Sequence, residues 1–384
     1  MTTVHGVPPL SRRWANSRVA ELPPVLHLLP AEPYGGLQRI VIQLARAQRA
    51  AGLEVNLVLL GPSDRVETES RAAGIEPIML SGSRLGRTAA LRGLLAERRG
   101  AIIHTHCEPI WATIARVGLA VTWVAHLHVY AGRETLRDRL INRLYRRHVD
   151  RFIGITQSVA DSFLALGIAA PERVDVVHNG ADPALLPLPA SRPADRFTIG
   201  FVGRAVREKG LFDFIAAADL LRDDDIDFVI AGEGEDLDEA RQTIETLGLT
   251  DRIEVTGFVE DMAPVWARID MLAMFSEREP FGLVILEAIA SGVAVLGYDT
   301  PSGGREVMEE LPGCTMIAPH SVSAITDAVR HAASRRGALR EEVRSGREVV
   351  INRFSLERME KGVARCYAQL AANGALDSKV SLAG

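Results

Sequence analysis

Short runs of β-branched and aliphatic residues alternate along this chain with longer stretches whose apolar positions recur every three to four residues. That alternation predicts parallel strands joined by helices. In the first half it places strands at Val25–Leu29, Val55–Leu60, Ile102–His104, Thr122–His126, Phe152–Ile155 and Val174–Val177. In the second half they fall at Thr198–Val202, Phe228–Ala231, Ile253–Thr256, Met271–Phe275 and Val293–Leu296. Helical patterns fill the gaps, as at Leu37–Ala51 and Leu211–Leu221, and a long amphipathic tail, mostly helix, is expected over Leu339–Leu370. Between the halves, ADPALLPLPASRPADR (181–196) holds four prolines. Proline at that density suits neither helix interior nor central strand, so the segment reads as a linker.

The pattern therefore divides the chain into a flexible extension (1–22), a first Rossmann-like domain (23–182), a linker (183–196), a second Rossmann-like domain (197–353) and a C-terminal crossover helix and tail (354–384). In such sheets ligands bind at the carboxyl ends of the strands. Two facing domains place one site in the cleft between them.

Composition adds little to the fold but narrows the setting. Of 384 residues, 47% are hydrophobic and 24% charged, enough for two cores. No apolar run reaches the ~20 residues of a membrane span. The N-terminus lacks the apolar stretch of a signal peptide. Three separated cysteines (Cys107, Cys314, Cys366) form no paired motif, and a reducing cytoplasm is the expected setting. Charge is uneven. Residues 1–185 hold 22 Arg and 16 acidic residues, 22 − 16 = +6, so the −5 total leaves −11 for the rest. A basic half hints at an anionic surface or acceptor on one side. The segment 133–151 concentrates seven Arg with Leu136, Leu140, Ile141 and Leu144 on a helical stripe. Two readings stand: peripheral contact with anionic lipid, or a core-facing helix with a solvated basic face. Nothing points to nucleic acid.

The segment SEREPFGLVILEAIASG (276–292) offers the sharpest chemistry. Pro280 suits the first turn of a helix, with Glu279 at its entrance. From Leu283 to Ala290 the helix is apolar on every side except at Glu287, so it is expected to be buried, and its carboxylate needs a partner. The two carboxylates lie on the order of 10 Å apart along the axis, about the span from a sugar across a diphosphate to a ribose. The helix N-terminus between them suits phosphate. The plain alternative is a Glu279 that complements the helix dipole and a Glu287 satisfied by neighbouring backbone.

FVGRAVREKG (201–210) is a strand, a glycine turn at Gly203, then Arg204 and Lys209. A planar guanidinium and a compact ammonium aimed at a strand's carboxyl end suit phosphate oxygens, although a solvated cationic loop would look the same. Only three lysines occur in the chain, and one stands here. Gly35 and Gly36 follow the first strand and open a helix, where backbone N–H groups can approach an anion. His126 and His128 alternate onto one face at a strand end. A metal would need a third ligand. His104 and His106 belong to another strand end, so no metal site is expected. VVHNGAD (176–182) and YDTPSGGREV (298–307), with Glu306, are further candidates. AGEGED (231–236) lacks the third glycine of a dinucleotide fingerprint, and DDDID (223–227) reads as a solvated turn.

Together these pieces resemble the family 4 glycosyltransferases of GT-B fold, from about Val25 to Ala372. The E-x7-E of Glu279 and Glu287 carries the resemblance most specifically. Gly203-Arg204-x4-Lys209-Gly210 comes next, then Asn179-Gly180-x-Asp182 and Gly35-Gly36. The resemblance implies a retaining transfer, in which a sugar moves from a nucleotide sugar, UDP- or GDP-linked, to a hydroxyl acceptor without metal or other cofactor. It assigns catalytic contacts to His128, Glu279, Arg204 and Lys209. Donor binding falls to Gly35, Gly36, Gly203, Arg204, Lys209, Glu279, Phe281, Gly282, Leu283 and Glu287. Arg204 and Lys209 would hold the diphosphate, Glu287 the ribose and Glu279 the sugar. The later Gly303-Gly304-Arg305-Glu306 has one residue before its glutamate where the family often has two. The acceptor expected is a lipid-linked saccharide of the cell envelope, with the enzyme in the cytoplasm or on the inner face of the plasma membrane. A soluble natural product, a sugar-nucleotide epimerase and a non-catalytic binder are the alternatives.

Overall fold

The computed structural model describes residues 22–98, 100–132, 135–182 and 196–372. The proline-rich linker, nearly all of the N-terminal extension and the last residues of the tail lie outside them.

Two parallel sheets form. The first holds β1 (Val25–Leu29), β2 (Val55–Leu59), β3 (Ile78–Met79), β4 (Ile102–His106), β5 (Thr122–Leu127), β6 (Arg151–Gly154) and β7 (Val174–Val176), in the order β3-β2-β1-β4-β5-β6-β7. The second holds β8 (Phe197–Val202), β9 (Ile226–Ala231), β10 (Ile253–Gly257), β11 (Met271–Met274), β12 (Ala294–Tyr298) and β13 (Cys314–Ile317), in the order β10-β9-β8-β11-β12-β13. This is the two-domain GT-B architecture. Central strands such as β1, β4, β5, β11 and β12 are buried along their whole length, as parallel strands covered by helices on both faces must be.

Strand order reverses beside β1 in the first sheet and beside β8 in the second. The loops that leave β1 and β4, and those that leave β8 and β11, thus diverge and open crevices at the carboxyl ends. The glycine turn Gly35–Gly36, Arg204 and the Glu279 loop all stand there.

Three expectations need correction. Strands β3 and β13 were not expected. β3 has only two residues, and β13 (CTMI) is a partly exposed edge strand with weak alternation. The E-x7-E helix starts at Leu283 rather than at Pro280, because Gly282 adopts a left-handed φ of 84° that turns the chain into it. That positive φ favours glycine, and a Cβ there would also crowd Ile285 Cδ1 at 2.6 Å. The long tail is two helices, Arg336–Arg353 and Leu356–Ala372, parted at Phe354–Ser355, where Ala181 forms a bridge with Ser355. The second of them packs Leu356, Met359, Val363, Tyr367 and Leu370 into the first domain's core beside Val25, Leu29 and Ile102.

Candidate functional site

In the second domain the motif loops meet. β8 delivers Gly203 and Arg204, and a single 3-10 turn at Arg207–Lys209 brings Lys209 back toward the Glu279 loop. Lys209 Nζ donates to Glu279 Oε2 at 2.5 Å. Arg204 is exposed and pairs with no described residue. Gly210, with φ 76°, closes the turn against Phe275, whose Cβ lies 2.3 Å from where a side chain would start. The AGEGED segment packs beneath this turn. A Cβ on Gly232 would fall 1.8 Å from Gly203 O, and Ala205 N donates to Glu233 O at 2.9 Å. Its glycines therefore seat the Arg204 turn.

The Glu279 backbone is held from both domains. Gly304 N donates to Glu279 O at 2.9 Å, and the Tyr130 hydroxyl donates to the same oxygen at 3.2 Å. Gly303 N in turn donates to Tyr130 Oη at 2.9 Å, and Thr156 Oγ1 to Pro280 O at 3.0 Å. A Cβ at Gly303 would sit 1.9 Å from Pro280 O, so this glycine is needed for the close approach. Glu306 binds across the interface. Its carboxylate accepts from Gln157 N at 2.8 Å and from Ser158 N, at the start of the Gln157–Ala165 helix. Glu306 is thus an interdomain bolt, built on N–H groups of a helix N-terminus.

Glu287 has the partner that its carboxylate was expected to need, a side chain of the other domain. Its side chain is 23% exposed and pairs with Arg39 of the Gly36–Ala50 helix, across the cleft. Burial pushes its carboxyl up, and the Arg39 guanidinium pulls it back. Gly36 faces the start of the Leu283–Ala290 helix, where a Cβ on it would lie 3.1 Å from Leu283 Cδ1. Phe281 is buried against His178 and Phe354, which leaves its backbone rather than its ring for a ligand. No side chain caps the Leu283–Ala290 helix. Asn179-Gly180-x-Asp182 packs against the Phe354–Ser355 break between the last two helices. A Cβ at Gly180 would meet Ser355 O at 2.4 Å, and Asp182 pairs with Arg46.

The first domain holds what the sequence reading did not assemble. Register places His27 beside His104 and His106 beside His126. With alternate residues on one face, five imidazoles (His27, His104, His106, His126, His128) gather beneath the Gly36–Ala50 and Leu356–Ala372 helices. All are buried. Burial depresses every one, His27 to about 4 and His128 to about 3. Their nitrogens form two cation-sized triads, His27–His104–His106 and His106–His126–His128, each with ligand atoms within 4.8 Å. Most of these nitrogens are already hydrogen-bonded in pairs, as described below.

Three groups at the cleft escaped sequence reasoning. Arg39 lies one helical turn past Gly36, but its partner is in the other domain. Tyr130 bridges domains through its hydroxyl. His320, with a φ of 55°, links Asp213 (3.0 Å) and Glu277 (2.7 Å), which raise its pKa. No local spacing signals any of them.

Comparison with known proteins matches both halves. Residues 34–185 match the glycosyltransferase family 4 model, and residues 189–348 the glycosyl transferases group 1 model. The chain is 26% identical to the 2-deoxystreptamine N-acetyl-D-glucosaminyltransferase of Streptomyces fradiae, over 90% of this chain and 95% of that one. It is 26% identical to the D-inositol 3-phosphate glycosyltransferase of Salinispora tropica, over 95% and 86% respectively. In fold it resembles Anabaena Alr3699/HepE in complex with UDP-glucose, with TM-score 0.79 and 21% identity over 90% of this chain and all of that one. No helix among the described residues is long and apolar enough to cross a membrane.

Proposed function

Since the chain belongs to the family 4, group 1 glycosyltransferases of GT-B fold, we propose that it moves a hexosyl unit, with retention, from a UDP- or GDP-sugar to a hydroxyl acceptor. The observation that carries this reading is the Lys209–Glu279 pair at the second sheet's switch point, beside a free Arg204 and facing the Gly35–Gly36 turn. Sugar transfer breaks the anomeric C–O bond and leaves charge on the diphosphate. Arg204 and Lys209 stabilise that charge where it develops, with the uncapped N-terminus at Gly282–Leu283 adding its dipole. Those groups supply positive charge without a metal. Donor entry exchanges Lys209 from Glu279 to phosphate and frees Glu279 for a sugar hydroxyl. Ribose hydroxyls take the place of Arg39 on Glu287.

No enzymic nucleophile stands among the motif residues, so front-face attack, with the leaving phosphate taking the acceptor proton, suits the site. Losing one such preorganised group typically costs ~10²–10³ in turnover. The test is nucleotide release from donor plus acceptor in Lys209→Ala and Glu279→Ala. Full activity in both would sink the site. Donor conversion without acceptor would make it an epimerase, and tight donor binding with no turnover a binder.

For the acceptor, the exposed face of the Leu136–His148 helix favours a lipid-linked saccharide of envelope polysaccharide, lipopolysaccharide or glycolipid synthesis. Leu136 is 82% and Leu140 44% exposed, among exposed Arg137, Arg139 and Arg143. Such a face suits anionic lipid, which supports the reading of an enzyme on the cytoplasmic side of the plasma membrane. The relative acting on 2-deoxystreptamine favours a second reading, a soluble natural product. Co-sedimentation with anionic but not neutral vesicles supports the first. Equal behaviour with both supports the second.

A further inference from the structure

We infer that a buried chain of hydrogen bonds, anchored on Gln48 and Tyr367, fixes which ring nitrogen of His128 carries the proton and leaves Nδ1 as its lone-pair nitrogen. The inference rests on the reading of His128 as the cleft histidine, but its primary readout does not.

A neutral imidazole has one N–H donor and one acceptor, so each hydrogen bond it makes dictates the other. Gln48 Nε2 donates to the Tyr367 hydroxyl at 3.3 Å, which turns Gln48 Oε1 toward His27. An amide oxygen only accepts, so His27 Nε2, at 2.7 Å, carries the proton. His27 Nδ1 must then accept from His106 Nε2–H at 2.8 Å. His106 Nδ1 must accept from His128 Nε2–H at 3.0 Å. His128 is left with an unprotonated Nδ1. The second arm runs from the same amide. The Tyr367 hydroxyl proton has no acceptor but His104 Nδ1 among the described residues, so Tyr367 donates to it, and His104 Nε2–H donates to His126 Nδ1 at 3.2 Å. His126 Nε2–H ends that arm, buried and with no hydrogen-bond partner.

One amide therefore sets five tautomers. Reversing any one means reversing its whole arm, and such chains reinforce themselves in a low-dielectric interior. The consequence lies at the cleft. A His128 that offers a lone pair accepts from a hydroxyl of the bound sugar or of the incoming acceptor, and it does not donate to a phosphate oxygen. Gln48, His27 and His106 act as positioning residues for His128, from up to three hydrogen bonds away.

The experiment is nitrogen-15 NMR of histidine-labelled full-length protein, with long-range proton couplings to assign each tautomer. His128 is expected as the Nε2–H form. Gln48→Met, close in volume, and Tyr367→Phe, which loses only the hydroxyl that orients the amide, are each expected to give mixed tautomers at His128. Nucleotide release is expected to fall at least about tenfold in both, with UDP or GDP binding unchanged. Gln48→Glu, which keeps an acceptor toward His27, restores the Nε2–H form. A wild-type His128 protonated at Nδ1 overturns the inference, as does a tautomer indifferent to both substitutions. So does stoichiometric Zn²⁺ or Ni²⁺ in the purified protein that His126→Asn abolishes, since the nitrogens would then ligate a cation. Intact tautomers in a protein that transfers no sugar would sink the proposed function and leave the relay standing.

Discussion

The two sheets are built alike, yet they carry their polar chemistry in opposite places. In the second domain the buried strand positions carry no charged side chain, and no histidine lies on β8–β13. Arg204, Lys209 and Glu279 stand on loops beyond the strand ends. In the first domain the polar groups are in the sheet itself, with His27, His104, His106 and His126 on buried strand positions and His128 just past β5. Charge on loops can be exchanged for a ligand's charge at little cost to the fold. Imidazoles inside a sheet must stay neutral and hydrogen-bonded to be tolerated. On the proposed function, the second domain presents groups that change partner, and the first presents groups that hold still.

Acid separates the domains most sharply. The five histidines have folded-state pKa values below the unfolded value of about 6.5. The stability tied to their neutral forms is complete above that value. It is lost as pH falls through 6.5 toward about 4 for His27 and about 3 for His128, because the unfolded chain takes up protons first. Each contributes a slope of up to about 1.4 kcal/mol per pH unit. Hydrogen exchange between pH 7 and 5 should show β1, β4 and β5 losing protection before β8, β11 and β12. The reverse order would erase the contrast.

Gly304→Ala acts on the exchanging side. Its Cβ would come within 2.9 Å of Glu279 Cβ and push the carboxylate off Lys209. Turnover should fall at least about tenfold, the cost of a small misplacement at a reacting centre, with far-UV dichroism unchanged. Glu306→Ala removes an acceptor from a helix N-terminus and should cost about 1 kcal/mol by denaturant titration. Arg39→Ala removes a partly exposed ion pair across the cleft and should change stability by less than about 1 kcal/mol. It should leave UDP or GDP binding unimpaired, because Glu287 is freed. Weaker binding would place Arg39 among the groups that hold the donor.

What could be read from sequence follows the same division. Loop chemistry is local, so Gly203, Arg204, Lys209, Gly210 and Glu279 could be picked out as candidates from spacing, and alternating apolar runs located eleven of the thirteen strands. The histidine chain was not legible. His27, His104 and His126 lie on three different strands, and only strand order and register make neighbours of them. Their anchors, Gln48 and Tyr367, lie 319 residues apart. Glu287 was legible as a carboxylate in need of a partner, but that partner, Arg39, lies 248 residues earlier in the other domain.

Calorimetric binding of UDP and GDP to the wild-type protein and to an Arg204→Ala/Lys209→Ala double variant tests the donor site most directly. One of the two nucleotides should bind the wild type, bind the double variant at least about a hundredfold more weakly, as loss of two charge-assisted contacts implies, and bind Gln48→Met as it binds the wild type. Equal affinity in the wild type and the double variant would contradict a diphosphate site at the carboxyl end of β8.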